Sequence, residues 1–236
     1  MEKATRQLEF DIMEKRRAVI FDLDGIIVDT TGLQFRAWKK VANDLGCNFS
    51  EEQNEQLKGI SREDCLKQIL SWGQLQLSPH NFQHWMQKKN DYYLKYVEEI
   101  NASAILPGVQ ELINSLDRKN IPYALGSASR NAGTILRKLN LVSKFSAVVD
   151  GNDVNEGKPD PGIFLLAAQK LNCSPLSCVV FEDSIAGIKA ANRAGMISIG
   201  IGKREILSEA DYVFKSLQEV TESFLLTLPA LKVQEK

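Results

Sequence analysis

Two aspartates separated by one residue come directly after a short apolar run near the start of the chain. The run is 18–21, and the acids are Asp22 and Asp24, with Gly25 behind them. Alternate residues of an extended chain point to the same side, so both carboxylates can face one point. Such a pair can supply a nucleophile, a general acid or base, or ligands for a hard cation. The alternative is an ordinary turn, because Asp and Gly are common turn residues.

Three later segments carry groups suited to holding phosphate. In chain order they are Ser127-Ala128-Ser129, Lys158 and Glu182-Asp183. Hydroxyl and backbone N–H groups can hold an anion, a lysine offsets negative charge, and several carboxylates around one point select Mg²⁺. Each segment alone has a plain structural explanation as a helix cap, a turn or a solvated surface. Together, and in this order, they indicate one phosphate-handling site.

The elements that must position these groups follow an alternating pattern. Strands are predicted at 18–21, 121–126, 147–149, 178–181 and 197–201, with a short edge strand at 213–214. Helices are predicted near 109–118, 131–139, 160–171, where Asp160 would be the N-cap, and 185–194. Because such alternation is typical of a parallel sheet covered by helices, the fold class is α/β, with a doubly wound, Rossmann-like parallel sheet. Ligands bind at the carboxyl ends of its strands.

Residues 31–100 interrupt this pattern with helices alone. Ser50 with Gln53 forms a capping box, Ser61 caps the next helix, and Ser78-Pro79 opens a long one. The chain is therefore predicted to have an α-helical domain at 31–100, inserted into a sheet domain made of 17–30 and 101–236. Residues 1–16 are predicted to be a disordered N-terminal extension. Thr30 and Thr31 stand where a hinge between the two domains belongs.

The composition excludes several classes of partner. With 236 residues and a net charge of −1, the chain has no basic field for nucleic acid or acidic membranes. No run of eighteen apolar residues predicts a membrane span, and 1–17 lacks the apolar middle of a signal peptide. Its four scattered cysteines indicate neither zinc nor a disulfide framework. A cytoplasmic monomer with a small-molecule substrate is predicted.

The motifs resemble those of a known superfamily. Asp22-Leu23-Asp24-Gly25, Ser127, Lys158 and Glu182-Asp183 resemble the four motifs of the haloacid dehalogenase (HAD) phosphotransferases, and the resemblance covers about residues 17–215. The inserted helices resemble the cap domain of that superfamily. Within it, four segments are similar to the β-phosphoglucomutase family: Phe35-Arg36-Ala37-Trp38, 57–64, Lys89-Asn90 and 127–131.

This resemblance implies an isomerase that interconverts β-D-glucose 1-phosphate and glucose 6-phosphate. The reaction would pass through an aspartyl-phosphate enzyme and β-glucose 1,6-bisphosphate. A HAD-type sugar phosphatase, a mutase for a related hexose or disaccharide phosphate, and a non-catalytic sugar-phosphate sensor are the alternatives. An intact pair of aspartates argues against the sensor.

The resemblance also implies a role for each residue. Asp22 would be the nucleophile and the phosphorylated residue, Asp24 the general acid and base, and Ser127 and Lys158 would neutralise the transferring group. Mg²⁺ would be held by Asp22, Asp24 through its backbone carbonyl, Glu182 and Asp183. The substrate-binding residues would be Gln34, Trp38, Lys58, Gly59, Ser61, Arg62, Lys89, Ser127, Ala128, Ser129 and Asn131.

Gln34 stands where the family usually has histidine, and an amide can donate and accept hydrogen bonds but cannot titrate. His80 and His84 lie one helical turn apart, but their amphipathic, aromatic neighbourhood favours surface positions over a metal pair.

Overall fold

The centre of the protein is a six-stranded parallel sheet, seen in a computed structural model that describes residues 17–231. The predicted disordered extension at 1–16 lies outside the described residues. The strands are β1 (Ala18–Phe21), β2 (Tyr123–Gly126), β3 (Ala147–Val149), β4 (Cys178–Glu182), β5 (Ile197–Ile201) and β6 (Tyr212–Phe214). Their order is β3-β2-β1-β4-β5-β6, so β1 lies in the middle. The predicted doubly wound sheet is confirmed, and the strand order reverses beside β1, where ligands bind in such folds.

Strand β1 is apolar throughout because both faces of the sheet are covered. Val19 and Phe21 belong to one buried cluster, and Ala18 and Ile20 belong to another on the opposite face. Phe21 pairs in register with Phe181 of β4 and stacks on its ring at 5.3 Å. This register fixes the residues after β1 and those after β4 at the same edge of the sheet.

Four helices occupy the region between β1 and the rest of the sheet. They are α1 (Thr31–Asp44), α2 (Glu51–Gln56), α3 (Arg62–Trp72) and α4 (Pro79–Val97). The three predicted caps are confirmed: Ser50 forms a capping box with Gln53, and the hydroxyls of Ser61 and Ser78 each accept from a backbone N–H of the first turn. We call residues 31–100 the helical insert; its treatment as a separate domain stays a prediction.

Five helices cover the sheet. They are α5 (Val109–Arg118), α6 (Ala132–Lys138), α7 (Gly162–Lys170), α8 (Ile185–Arg193) and α9 (Glu222–Thr227). The prediction of Asp160 as N-cap is wrong, because Pro161 holds that position and the Asp160 carboxylate accepts from Gly162 N at 2.8 Å. Strand β2 begins two residues later than predicted, after Pro122, which has no N–H for the ladder. Every helix within 17–231 is too short or too polar to cross a lipid bilayer.

Candidate active site

The carboxyl ends of β1 and β4 bring two carboxylates together around one lysine. Lys158 Nζ lies 2.5 Å from Asp22 Oδ1 and 2.6 Å from Glu182 Oε1, and all three residues are buried. The second Glu182 oxygen accepts from the backbone N–H and the hydroxyl of Ser184, at 2.7 and 2.8 Å. Residues predicted from three separate motifs therefore meet at one point.

Negative charge exceeds positive charge at this point. Burial raises the pKa of Asp22 to about 7, although Lys158 lowers it in part. Burial likewise raises the pKa of Asp24 to about 6 and holds the pKa of Asp183 well above its ordinary value, with the charge of Glu182 adding to the effect on Asp183. Desolvation favours the neutral acids, so ionisation of all of them calls for a further cation.

The oxygen atoms gathered at this point are chemically suited to bind a hard divalent cation. Asp22, Glu182 and Asp183 offer carboxylate oxygens, the ligands that Mg²⁺ prefers, and a dication would offset their buried charge. The turn after β1 lies directly on Asp183, because a Cβ atom added at Gly25, where φ is +81°, would overlap the Asp183 carboxylate. Within 17–231, the side chains of His, Cys, Asp and Glu form no ready-made metal cluster of three or more. The predicted ligand set therefore stays a prediction.

A cavity of about 780 Å³, counted to its open mouth, lies between the sheet edge and the helical insert. The predicted site residues that line it are Asp22, Asp24, Gln34, Trp38, Lys58, Gly59, Arg62, Lys89, Ala128, Ser129, Asn131 and Asp183.

The other predicted residues contribute from outside the cavity lining. Lys158 contacts the cavity residue Asp22, and Glu182 contacts Lys158. The buried Ser127 hydroxyl accepts from Ser129 N at 3.1 Å. The Ser61 hydroxyl does not line the cavity, because it contacts the Asp64 carboxylate at 2.6 Å and caps α3. Its effect on a ligand would act through the position of the next residue, Arg62.

The second aspartate of the motif is held by groups of the helical insert and its junction. The Thr30 hydroxyl donates to Asp24 Oδ1, and the Gln34 side chain lies close enough to Asp24 to lower the pKa of that carboxyl in part. Lys89 in turn donates to Gln34 Oε1. Burial, together with the charge of Arg62, lowers the pKa of Lys89 to about 7. The position and the pKa of the Asp24 carboxyl therefore depend on how α1 and α4 are placed.

Two guanidinium groups face the cavity, and neither forms an ion pair within the described part of the chain. Arg62 is the first residue of α3, and Arg130 follows β2. Burial lowers the pKa of Arg62, and the nearby charge of Arg130 lowers it further. Two unpaired, mutually repelling cations in one cavity favour a dianion such as phosphate. Arg130 was not predicted as a site residue, although its place between Ser129 and Asn131 was a usable signal.

The loop at 57–60 lies directly against the loop after β4. Gly59 has φ +75°, and an added Cβ atom would overlap Ser184 Oγ. Lys58 Nζ lies 3.0 Å from Glu55 and 3.8 Å from Asp183, so it faces the carboxylates. Further cavity residues that the sequence did not indicate as ligand contacts are Thr31, Asn54, Leu57, Ile60 and Cys65. His80 and His84 are exposed and lie outside the cavity lining, as predicted.

The chain is similar in sequence and in structure to proteins of known families. A family model described as haloacid dehalogenase-like hydrolase matches residues 19–201. The chain is 41% identical to a β-phosphoglucomutase of Bacillus subtilis over 211 residues, which cover 89% of this chain and 93% of that protein. It is 34% identical to a phosphorylated carbohydrates phosphatase of Thermotoga maritima, with coverage of 76% and 82%. A β-phosphoglucomutase structure from Clostridium difficile superposes with a TM-score of 0.87 at 37% identity, covering 90% of this chain and 96% of that one.

Proposed function

Because the chain belongs to the β-phosphoglucomutase family of the haloacid dehalogenase superfamily, we propose that it interconverts β-D-glucose 1-phosphate and glucose 6-phosphate. One observation carries the proposal. The cavity that holds Asp22 also holds the unpaired guanidiniums of Arg62 and Arg130. A sugar bisphosphate needs two phosphate sites, one at the nucleophile and one remote from it, and the two arginines beside Asp22 in one cavity support such an arrangement.

The reaction consists of two phosphoryl transfers. In the first, the 6-hydroxyl of β-glucose 1-phosphate attacks the aspartyl phosphate while Asp24 takes its proton, so that β-glucose 1,6-bisphosphate forms and Asp22 is released. In the second, Asp22 attacks the 1-phosphate of the bisphosphate, the bond from phosphorus to the sugar oxygen breaks, and Asp24 gives that oxygen its proton, which yields glucose 6-phosphate and the aspartyl phosphate again. Lys158 lies on Asp22 and neutralises part of the charge that the transferring group carries.

Members of the family use a divalent cation, and we propose Mg²⁺ for this chain. Asp22, Glu182, Asp183 and the backbone carbonyl of Asp24 would hold it, and when bound it neutralises charge on the phosphoryl oxygens.

Water must be kept from the aspartyl phosphate until the sugar arrives. We propose that the helical insert acts as a cap for this purpose. Its Gly59 packs on Ser184, and its Asn90 Oδ1 accepts from Asn131 Nδ2 of the sheet region at 2.9 Å. Phosphate bound between Arg62 of the insert and Arg130 of the sheet region would hold the cap closed.

The discriminating assay follows glucose 6-phosphate and inorganic phosphate together, starting from β-glucose 1-phosphate with Mg²⁺. Glucose 6-phosphate is expected as the dominant product, and turnover is expected to require a trace of β-glucose 1,6-bisphosphate. Free phosphate as the dominant product would instead support a sugar phosphatase, the second candidate. That candidate is favoured by the phosphatase relative and by Gln34, which lacks the titratable ring of histidine.

We also propose that the enzyme works as a cytoplasmic monomer, without a nucleic-acid or membrane partner. The net charge of −1 supports the absence of a polyanionic partner. Light scattering coupled to gel filtration would test the monomer, and a mass of two chains would reject it.

A further inference from the structure

One buried hydroxyl group in the cavity region has no hydrogen-bond partner. Tyr93 lies on α4, its side chain is fully buried, and its Oη is the sole buried side-chain N or O atom within 17–231 that forms no hydrogen bond. A phenol that is buried without a partner destabilises the folded state relative to a phenylalanine of the same shape. Packing alone therefore does not explain the hydroxyl.

The surroundings of Tyr93 lie at the junction of the insert and the sheet region. Although α4 belongs to the insert, the Tyr93 side chain packs in the cluster of the sheet region, with Leu23 and Ile26 of the turn after β1. Lys89, one helical turn earlier on α4, places its ammonium 4.5 Å from the centre of the Tyr93 ring. Tyr93 is thus in contact with both parts of the molecule.

The phenol faces the pair formed by Thr30 and Asp24. Burial raises the pKa of Tyr93 well above 10, and the charge of Asp24 raises it further, so the group is a neutral donor. The Thr30 hydroxyl, which already donates to Asp24 Oδ1, is the hydrogen-bonding group next to the phenol. The two hydroxyls are neighbours, but they do not meet in hydrogen-bonding geometry.

We propose that the Tyr93 hydroxyl is a positioning group for the general acid and base Asp24, to which it donates a hydrogen bond through Thr30. Thr30 has one proton, given to Asp24, and free lone pairs on its oxygen that can accept from Tyr93. A small shift of α4 against Thr30 completes the chain from Tyr93 to Thr30 to Asp24. The insert thereby fixes the orientation of the Asp24 carboxylate. This inference rests on the proposed function at one point only, namely that the hydroxyl group whose proton Asp24 takes belongs to a sugar.

The test compares Tyr93→Phe with Tyr92→Phe, which removes a phenol from the next position of the same helix. The Tyr92 hydroxyl is bound to the exposed Asp44 at 2.9 Å, away from Asp24. Tyr93→Phe is expected to lower kcat about tenfold with KM within about twofold, because a positioned general acid or base contributes far more than tenfold in total. Tyr92→Phe is expected to leave both unchanged, and neither variant is expected to unfold at a lower temperature than the wild type.

A second readout separates Asp24 from the nucleophile. Acetyl phosphate phosphorylates a carboxylate without a general acid, because its leaving group is itself a weakly basic carboxylate. The rate at which acetyl phosphate phosphorylates the enzyme in a single turnover is therefore expected to be unaffected in Tyr93→Phe, while transfer from the phosphoenzyme to the acceptor slows. If the wild type turns out to release only phosphate, water is the acceptor, and the same slowing of phosphoenzyme breakdown is expected. The inference is thus tested whether or not the isomerase proposal survives.

Three results would overturn the inference. They are unchanged transfer in Tyr93→Phe, an equal loss in the acetyl phosphate step, and destabilisation that accounts for the loss of activity. A double-mutant cycle with Thr30→Val tests the route. In the Thr30→Val background, Tyr93→Phe is expected to slow transfer by less than a further factor of two. If the effects of the two substitutions on the transfer rate instead multiply in full, a path through Thr30 is rejected.

Discussion

Replacement of Lys158 by methionine probes the balance of buried charge. Methionine fills a similar volume but removes the cation that lies 2.5 Å from Asp22 and 2.6 Å from Glu182. Both carboxylates are buried, so water cannot replace the lost partner. Loss of one member of a buried ion pair costs about 3–5 kcal/mol in the free energy of unfolding. We expect a loss in that range at pH 8 for the metal-free protein.

The loss is expected to shrink as the pH falls. Burial already raises the pKa of Asp22 to about 7, and the variant lacks the lysine that lowers it. A carboxyl group whose pKa is higher in the folded than in the unfolded state destabilises the fold where it is ionised, and it ceases to do so once protonated. At pH 5 the destabilisation by Lys158→Met should therefore be smaller by about 1–3 kcal/mol, the equivalent of one or two pKa units. The raised pKa of Lys158 itself matters only at alkaline pH.

Urea unfolding with EDTA at pH 5, 6.5 and 8 measures these quantities. Lys170→Met is the matched control, because Lys170 is half-exposed and its carboxylate partner, Asp153, lies 3.5 Å away at the surface. That change is expected to alter stability by less than about 0.5 kcal/mol at each pH. Excess Mg²⁺ should recover part of the stability lost in Lys158→Met. A loss below about 1 kcal/mol at pH 8, or a loss that grows towards pH 5, would refute a cluster of ionised, buried carboxylates.

Three further substitutions test the proposed roles. Asp22→Asn should leave less than about a thousandth of the activity, because it removes the covalent nucleophile while the fold persists; greater residual turnover, with circular dichroism unchanged, would contradict the aspartyl-phosphate step. Arg62→Ala should lower kcat/KM for sugar phosphate by at least about tenfold more than for a small aryl phosphate, since only the sugar substrate carries a remote phosphate; equal losses would remove Arg62 from the phosphate site. Gln34→His should leave isomerisation unchanged or raise it, and a collapse of the initial rate would show that the amide beside Asp24 and Lys89 is essential.

The sequence predicted those features that are set by local interactions. The strand before Asp22 is a run of apolar residues that has to be buried on both faces, and this pattern is readable without tertiary information. The Ser50 and Gln53 capping box is likewise closed within one helical turn. Alternation of strands and helices predicted a parallel sheet with its ligand site at the carboxyl ends of the strands, where Asp22 and Glu182 lie, but it did not predict the strand order.

Contacts between distant segments were beyond such reasoning. Lys89 and Gln34 are 55 positions apart, and their hydrogen bond depends on how α4 packs against α1. Lys58 was predicted to bind substrate, which stays a prediction, but the sequence did not indicate that its ammonium group would lie 3.8 Å from the carboxylate of Asp183. Neither contact is indicated by a periodic pattern or a motif in the sequence, because each forms only where two distant segments of the chain pack together. The Asp160 error has a smaller cause, since the proline that follows it competes for the same cap position.

The placement of the two arginines gives a physical reason why phosphate binding and closure should be coupled. Arg62 belongs to the helical insert and Arg130 to the sheet region, and their charges repel. Burial lowers the pKa of Arg62, and the charge of Arg130 lowers it further. The polar contacts that hold the insert against the sheet region include Lys58 with Asp183, whose charged atoms lie 3.8 Å apart, and Asn90 with Asn131 at 2.9 Å, and neither contact involves either arginine. Without an anion, the repulsion therefore opposes closure. A phosphate dianion between the two guanidiniums would convert that repulsion into two charge-assisted attractions, so we expect the substrate phosphate that does not react to be the group that closes the site.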